Sequence, residues 1–166
     1  MRILGIDPSY KRTGFAVVED GKLQHYASLD LKKTKTKKEK REWIKNTIRI
    51  IEGTCWPDKK IDKIVIERTR LYSRGFISMK TVIALGSLIS TVIDGTDLDV
   101  YSVDSRSFKS RVIGRASCSK EEVIGWAKSK FGVDVNEDEA DAIAIAFYPF
   151  VINPLTDNSL LRKENS

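Results

Sequence analysis

The sequence predicts an α/β fold: a five-stranded mixed sheet flanked by helices, with elements in the order βββαβαβαα. Three observations carry this. Two strand-like segments flank Asp20-Gly21, a two-residue hairpin signal, directly after an apolar opening run. Two short apolar runs, ILGI (3–6) and KIVIE (63–67), lead into Asp7 and end in Glu67, with a helix-patterned stretch between them. Near the end, two helix-capping patterns follow one another. An antiparallel meander, extended in parallel through helical crossovers, accounts for that order.

ILGI runs into Asp7, and the turn PSYKR returns the chain into TGFAVVE (13–19), which pairs through Asp20-Gly21 with KLQHYASLDL (22–31). A helix is expected from about 38 to 52, where Trp43, Ile44, Thr47, Ile48 and Ile51 share a face; Gly53 and Pro57 end it. KIVIE is the fourth strand. A long apolar helix over 77–94 closes at Gly95, and DVYSVD (99–104) reads as the fifth strand. Ser119 and Glu122 form a capping box for a helix to about Lys130, with Val123, Trp126 and Ala127 inward. Asn136 and Glu139 cap a last helix running to about Phe150. Residues 1–152 form one domain in this reading, and 153–166 a flexible tail.

Composition narrows the class. Of 166 residues, 41% are hydrophobic and 31% charged, the profile of a soluble globular domain. No apolar run reaches the roughly 18 residues of a membrane span, and MRILGIDPS lacks a signal-peptide core. Cys55 and Cys118 stand apart, without metal-type spacing, which fits a reducing cytoplasm. His25, the only histidine, reads as a surface or packing residue in a strand. The formal net charge of +6 is concentrated: residues 32–45 hold eight Lys/Arg and two Glu, a local +6, so the rest of the chain sums to zero. Cations in the first turn of a helix oppose its macrodipole, and a phosphate-bearing partner would relieve that.

Against this basic background, DVNEDEAD (134–141) packs five carboxylates into eight positions. Asp7 and Glu67 occupy equivalent places after short buried strands; as parallel neighbours they would emerge together at the carboxyl edge of the sheet, where open α/β sheets bind ligands. Asp134, Asp138 and Asp141 share a helical face if the last helix reaches back that far. The run Ala142 to Ala146 lets that helix lie close to the sheet. Four carboxylates in a partly dry pocket need cations, and oxygen donors without Cys or His select Mg²⁺ or Mn²⁺. Two such ions can clamp the attacking and leaving oxygens of a phosphodiester. Each acid also has a plainer use. Asp7 can cap a turn, Glu67 can end an exposed strand, and the acids at 137–139 can complement a helix N-terminus, which is the expected role of Glu137 and Glu139.

These residues together resemble the RuvC family of Holliday-junction resolvases, within the RNase H-like, retroviral-integrase superfamily. ILGIDPSYKRTGFAVV looks like the family's first motif and KIVIERTR its second. YSVDSRSFKSRVIGRASCSKEEV places Lys109 and Lys120 on its two basic positions, and EDEADAIAIA matches the closing motif with Asp138 and Asp141 in register. The resemblance covers about residues 1–150. It departs at Ser9, where the family has glycine, and at Arg70, where an aromatic wedge is expected; Tyr72 or Phe76 would have to take that part. The compact, lysine-rich chain looks more like a phage-type relative, acting in a bacterial or phage-infected cytoplasm. The resemblance implies an RNase H-like fold and a homodimer, with Val82, Ile83, Leu85, Ile89, Val92 and Ile93 making the 77–94 helix apolar on more than one side. It implies paired nicks in four-way DNA junctions that leave 5′-phosphate and 3′-hydroxyl ends. Asp7, Glu67, Asp138 and Asp141 would hold two Mg²⁺ ions, with Lys109 and Lys120 at the scissile or a neighbouring phosphate. Lys37, Lys38, Arg41, Arg68, Arg70, Tyr72, Arg74, Phe76, Arg106, Arg111 and Arg115 are the further candidates for contact with DNA. The rivals are a broader branched-DNA or RNA–DNA hybrid nuclease of the same superfamily, an actin-like ATPase, for which the chain lacks a second lobe, and a non-catalytic junction-binding protein.

Overall fold

The computed structural model describes residues 1–9, 11–30, 36, 38–39, 41–43, 45–46, 60–68, 90, 98–152 and 161–162. Its centre is a sheet in the order β3-β2-β1-β4-β5-β6, with β1 Arg2–Asp7, β2 Arg12–Glu19, β3 Lys22–Asp30, β4 Lys63–Glu67, β5 Asp99–Val103 and β6 Leu161–Arg162. The first three strands form the expected antiparallel meander, and β4 and β5 add in parallel. The β2–β3 turn has Asp20 at φ 48° and Gly21 at φ 77°, the left-handed pair that a two-residue hairpin needs. Asp20 is the one non-glycine residue with positive φ among those described, so Ser9 sits in ordinary backbone and the first turn does not require glycine there. On β3 the register slips between Val17 and Val18: His25 and Leu23 are the partners, and Gln24 is left over as a bulge.

Alternation along the strands sorts the core into two layers. Leu4, Ile6, Phe15, Val17, Ile64 and Ile66 point to one face, where Trp43 packs against them. Residues 38–39, 41–43 and 45–46 are helical, in line with the helix expected there, and Thr36 and Glu39 cap it reciprocally at 2.9 and 3.2 Å, a T-x-x-E box. Gly5, Ala16, Val18, Val65 and Val103 point to the other face, under two long helices. The first of these follows α1 Ser105–Phe108 and a π-helical turn, Lys109–Ile113; it is α2 Lys120–Phe131, and the last is α3 Glu137–Phe147. Both capping boxes form, Ser119 with Glu122 and Asn136 with Glu139.

Four expectations are corrected. α3 stops at Phe147 and tightens into a 3-10 turn, Tyr148–Phe150, because Pro149 has no N–H to continue the α-helix. β5 ends at Val103 since Asp104 leaves the strand to accept from the Arg106 and Ser107 amides at 3.0 and 3.2 Å, opening α1, a helix the pattern did not announce. Asp134 lies before the Asn136 cap, so it is not on the α3 face; its side chain, 89% exposed, meets Lys128 at 2.7 Å. The sheet gains a sixth, two-residue strand, Leu161–Arg162, from within the segment read as a tail; it covers the otherwise open edge of β5. The 77–94 helix lies outside the described residues, Ser90 apart, which is helical.

Candidate active site

The placement of the acids follows from how closely α3 approaches the sheet. Gly5 on β1 and Gly14 on β2 face it directly. A Cβ at Gly5 would come within 2.5 Å of both the Ala142 carbonyl and the Ala146 amide, and one at Gly14 would overlap the Asp138 carbonyl. Helix and strands therefore touch backbone to backbone, with Ala142 and Ala146 supplying the small side chains on the helix side. Gly14 is the register partner of Asp7, and Gly5 lies two residues before it, so Asp7 points to the α3 face. Gly5 pairs with Val65, which puts Glu67 on that face as well. The start of α3 is fixed from β3, where Ser28 donates to Glu139 at 3.0 Å and accepts from Asn136 at 2.9 Å.

Asp7, Glu67, Asp138 and Asp141 thus meet at the carboxyl edge of β1 and β4, and their electrostatics show it. Burial pushes the Asp7 carboxyl well above the usual carboxylate range, and the charges of Glu67, Asp141 and Asp138 add to that. Glu67 is raised by burial and by Asp141, against the pull of Lys109 and a hydrogen bond from Ser105. Asp7 and Glu67 also lie within hydrogen-bonding reach of each other, a contact that raises Asp7 further and lowers Glu67. Burial also raises Asp138, opposed by Arg12, and Asp141, opposed by Lys109. Lys109 Nζ stands 3.1 Å from Asp141 Oδ1, both side chains being about five-sixths buried. That oxygen is fully buried and makes no aligned hydrogen bond; Lys109 donates instead to Asp141 Oδ2 at 3.4 Å.

The donor set fits a hard divalent cation in kind: four carboxylates from three separate segments, crowded enough to retain protons, with one buried oxygen lacking a hydrogen bond. As arranged here, no three such side chains among the described residues already converge into a coordination shell. The Lys109 ammonium beside Asp141 offsets part of their charge. Lys120 opens α2 and ion-pairs with Glu137, so Glu137 takes a cation while Glu139 serves the cap.

The basic candidates that the structure describes differ in state. Arg68 is 3.8 Å from Asp104, Arg115 pairs with Glu122, and Arg106 and Arg111 are exposed on α1 and the π-turn. Lys38 and Arg41 are exposed on the helix behind the sheet; Lys37, Arg70, Tyr72, Arg74 and Phe76 lie outside the described residues. Two residues near the acids were not singled out by the sequence. Ser105 donates to Glu67, and Arg12 stands beside Asp138. The one signal for either was position: Arg12 precedes the strand that returns from Asp7, and Ser105 follows the strand beside Glu67.

The sheet order, the α3 contact and the acids at the edge define an RNase H-like protein. Its fold matches that of T. thermophilus RuvC in complex with a Holliday junction substrate, with a TM-score of 0.74 at 20% identity over 91% of this chain and 93% of that one. Residues 3–148 match the family model described as crossover junction endodeoxyribonuclease RuvC. The crossover junction endodeoxyribonuclease RuvC of Rickettsia bellii is 32% identical over 152 residues, covering 89% of this chain and 95% of its own. That of Bordetella parapertussis is 29% identical over 163 residues, covering 95% and 87%. The chain belongs to the RuvC family.

Proposed function

We propose that this chain is a divalent-metal-dependent endodeoxyribonuclease that resolves four-way DNA junctions by paired nicks, leaving 5′-phosphate and 3′-hydroxyl ends. The reading rests on Asp7, Glu67, Asp138 and Asp141 lying within electrostatic reach on one face of the sheet edge, each raised by burial and Asp7 also by the other three. Family membership supports the substrate class. Asp7, Glu67, Asp138 and Asp141 would hold two Mg²⁺ ions, for which Mn²⁺ can substitute. When bound, the ions supply Lewis-acid activation of water and charge neutralisation at phosphorus.

The chain's own groups do the rest. Ser105 holds the Glu67 carboxylate in place, and the capping box of α3 fixes the backbone that carries Asp138 and Asp141. Lys109, which lies beside Asp141, would meet a phosphate oxygen of the DNA, as would Lys120, which pairs with Glu137. Lys37, Lys38, Arg41, Arg68, Arg70, Arg74, Arg106, Arg111 and Arg115 would track the DNA backbone, with Tyr72 or Phe76 as the unstacking wedge. The 77–94 helix would join two copies, so that paired sites face one junction. The DNA it acts on would be that of the cytoplasm; among the described residues no helix is long and apolar enough to cross a membrane.

The test is cleavage of a fixed four-way junction and of linear duplex, flap and RNA–DNA hybrid, with Mg²⁺ or with chelator. Symmetrical nicks in the junction alone, only with metal, are expected. Asp7→Asn should lose at least about a hundredfold in rate while still binding the junction. Equal cutting of linear duplex would reduce the protein to a general nuclease, and cleavage retained by Asp7→Asn would remove the metal assignment.

A further inference from the structure

Arg12 has a place in the fold that its role as a strand opener does not explain. It lies two residues before Gly14 on β2, so its side chain leaves the sheet on the face that α3 covers. Its Nη1 is 3.8 Å from Asp138 Oδ2, with 42% of the arginine side chain exposed against 23% of the aspartate's. The separation exceeds hydrogen-bond length, so the guanidinium is attracted to Asp138 without being locked to it. A pair this open contributes little to stability, which leaves the arginine's position unaccounted for by folding alone.

The sheet order supplies the rest. β1, with Asp7, lies between β2 on one side and β4 and β5 on the other. Lys109 reaches the acids from beyond β5, at Asp141, and Arg12 reaches them from β2, at Asp138. The carboxylates therefore have a cation on each flank. A DNA strand laid along this edge, with its reacting phosphorus over the acids, has phosphates on both sides of that point. Metal bound by Asp138 would take the charge that holds Arg12, and a guanidinium beside a newly neutralised carboxylate is best satisfied by the next anion, for which its planar fork is well matched.

We propose that Arg12 is a phosphate-binding residue of this active site: it rests on Asp138 in the free protein and engages, from the β2 side, a phosphate next to the scissile one when DNA arrives. This rests on the junction-nuclease reading. It is tested by measuring binding of a fixed four-way junction over a series of salt concentrations, with Ca²⁺ replacing Mg²⁺ to suppress cleavage. Wild type is compared with Arg12→Gln, with Arg12→Lys, and with Lys128→Gln as a remote control whose lysine pairs with Asp134. Arg12→Gln should bind several-fold more weakly, and its slope of log K against log salt should be shallower by about 0.9, the signature of one lost phosphate contact. Arg12→Lys should keep most of the slope, and the control all of it. A parallel titration of DNA-free protein with Mg²⁺, followed by calorimetry, separates the alternative. A slope unchanged in Arg12→Gln, with only metal binding altered, would make Arg12 a mere counter-charge to Asp138 and overturn the proposal. Failure of wild type to bind the junction would instead overturn the nuclease reading, and Arg12's role with it. Unchanged thermal midpoints confirm that the variants are folded.

Discussion

Asp7 is deeply buried beside three other carboxylates, and folding pushes its carboxyl well above the usual carboxylate range. The sign of the pH effect follows. A carboxyl raised on folding favours the fold below its ordinary range, and that favour is lost as pH rises through the raised value. Glu67, Asp138 and Asp141 act in the same direction. In chelator, the thermal midpoint should therefore fall as pH rises from the ordinary carboxylate range through the raised values. Asp7→Asn should flatten that fall and raise the midpoint at neutral pH by about 2–4 °C, corresponding to roughly 1 kcal/mol. Scanning calorimetry across pH checks both; a lower midpoint in the variant would mean that Asp7 is not under repulsion. The sequence made Asp7 and Glu67 visible because each follows a short apolar run, and the strand geometry put them side by side. It did not reveal Ser105 or Arg12. Neither belongs to a periodic pattern, and their meaning comes from residues distant in the chain.

A single helix decides where half of these acids stand, and α3 is held by shape more than by greasy surface. The alanines on its sheet side were readable, being small residues in an apolar run. Their partners were not, because glycine in a strand has several uses and only the packed structure selects close approach. Gly14→Ala and Gly5→Ala should each cost about 1–3 kcal/mol in urea unfolding, as overpacking does, although alanine suits a strand no worse than glycine. If the acids hold the divalent ion proposed above, Gly14→Ala should also weaken its binding, since the displaced backbone is that of Asp138. An unchanged unfolding midpoint in both would show that the helix has slack to retreat. The capping boxes at Ser119 and Asn136 were legible because their chemistry is local. The last helix was over-extended only at its C-terminal end: Pro149 fits a helical pattern by spacing, while its missing N–H sets the true limit.

Across the whole molecule, four carboxylates lie near one another at one edge of the sheet, and the excess positive charge falls in one segment, 32–45. Within that segment Lys38 and Arg41 are exposed on a helix whose Trp43 is anchored in the core, so their charges ride on a fixed support. If they meet DNA, replacing both by Gln should weaken junction binding and lower its salt slope by about 2, while leaving the unfolding midpoint nearly unchanged. Anisotropy titrations over the same salt series decide it, and an unaltered slope would leave these residues as solvated surface. The overall architecture was the most legible level of all. Alternation, the Asp20-Gly21 turn and the acid-terminated strands are each local signals, and the rules of strand connection convert them into one sheet.

The leftover residue on β3 has a consequence of its own. β3 forms one margin of the sheet, nine residues long, and a straight ribbon of that length would offer ready docking for any passing extended polypeptide. Gln24 interrupts its rhythm near the hairpin, so an extended chain pairing along the whole of this margin would have to break step there.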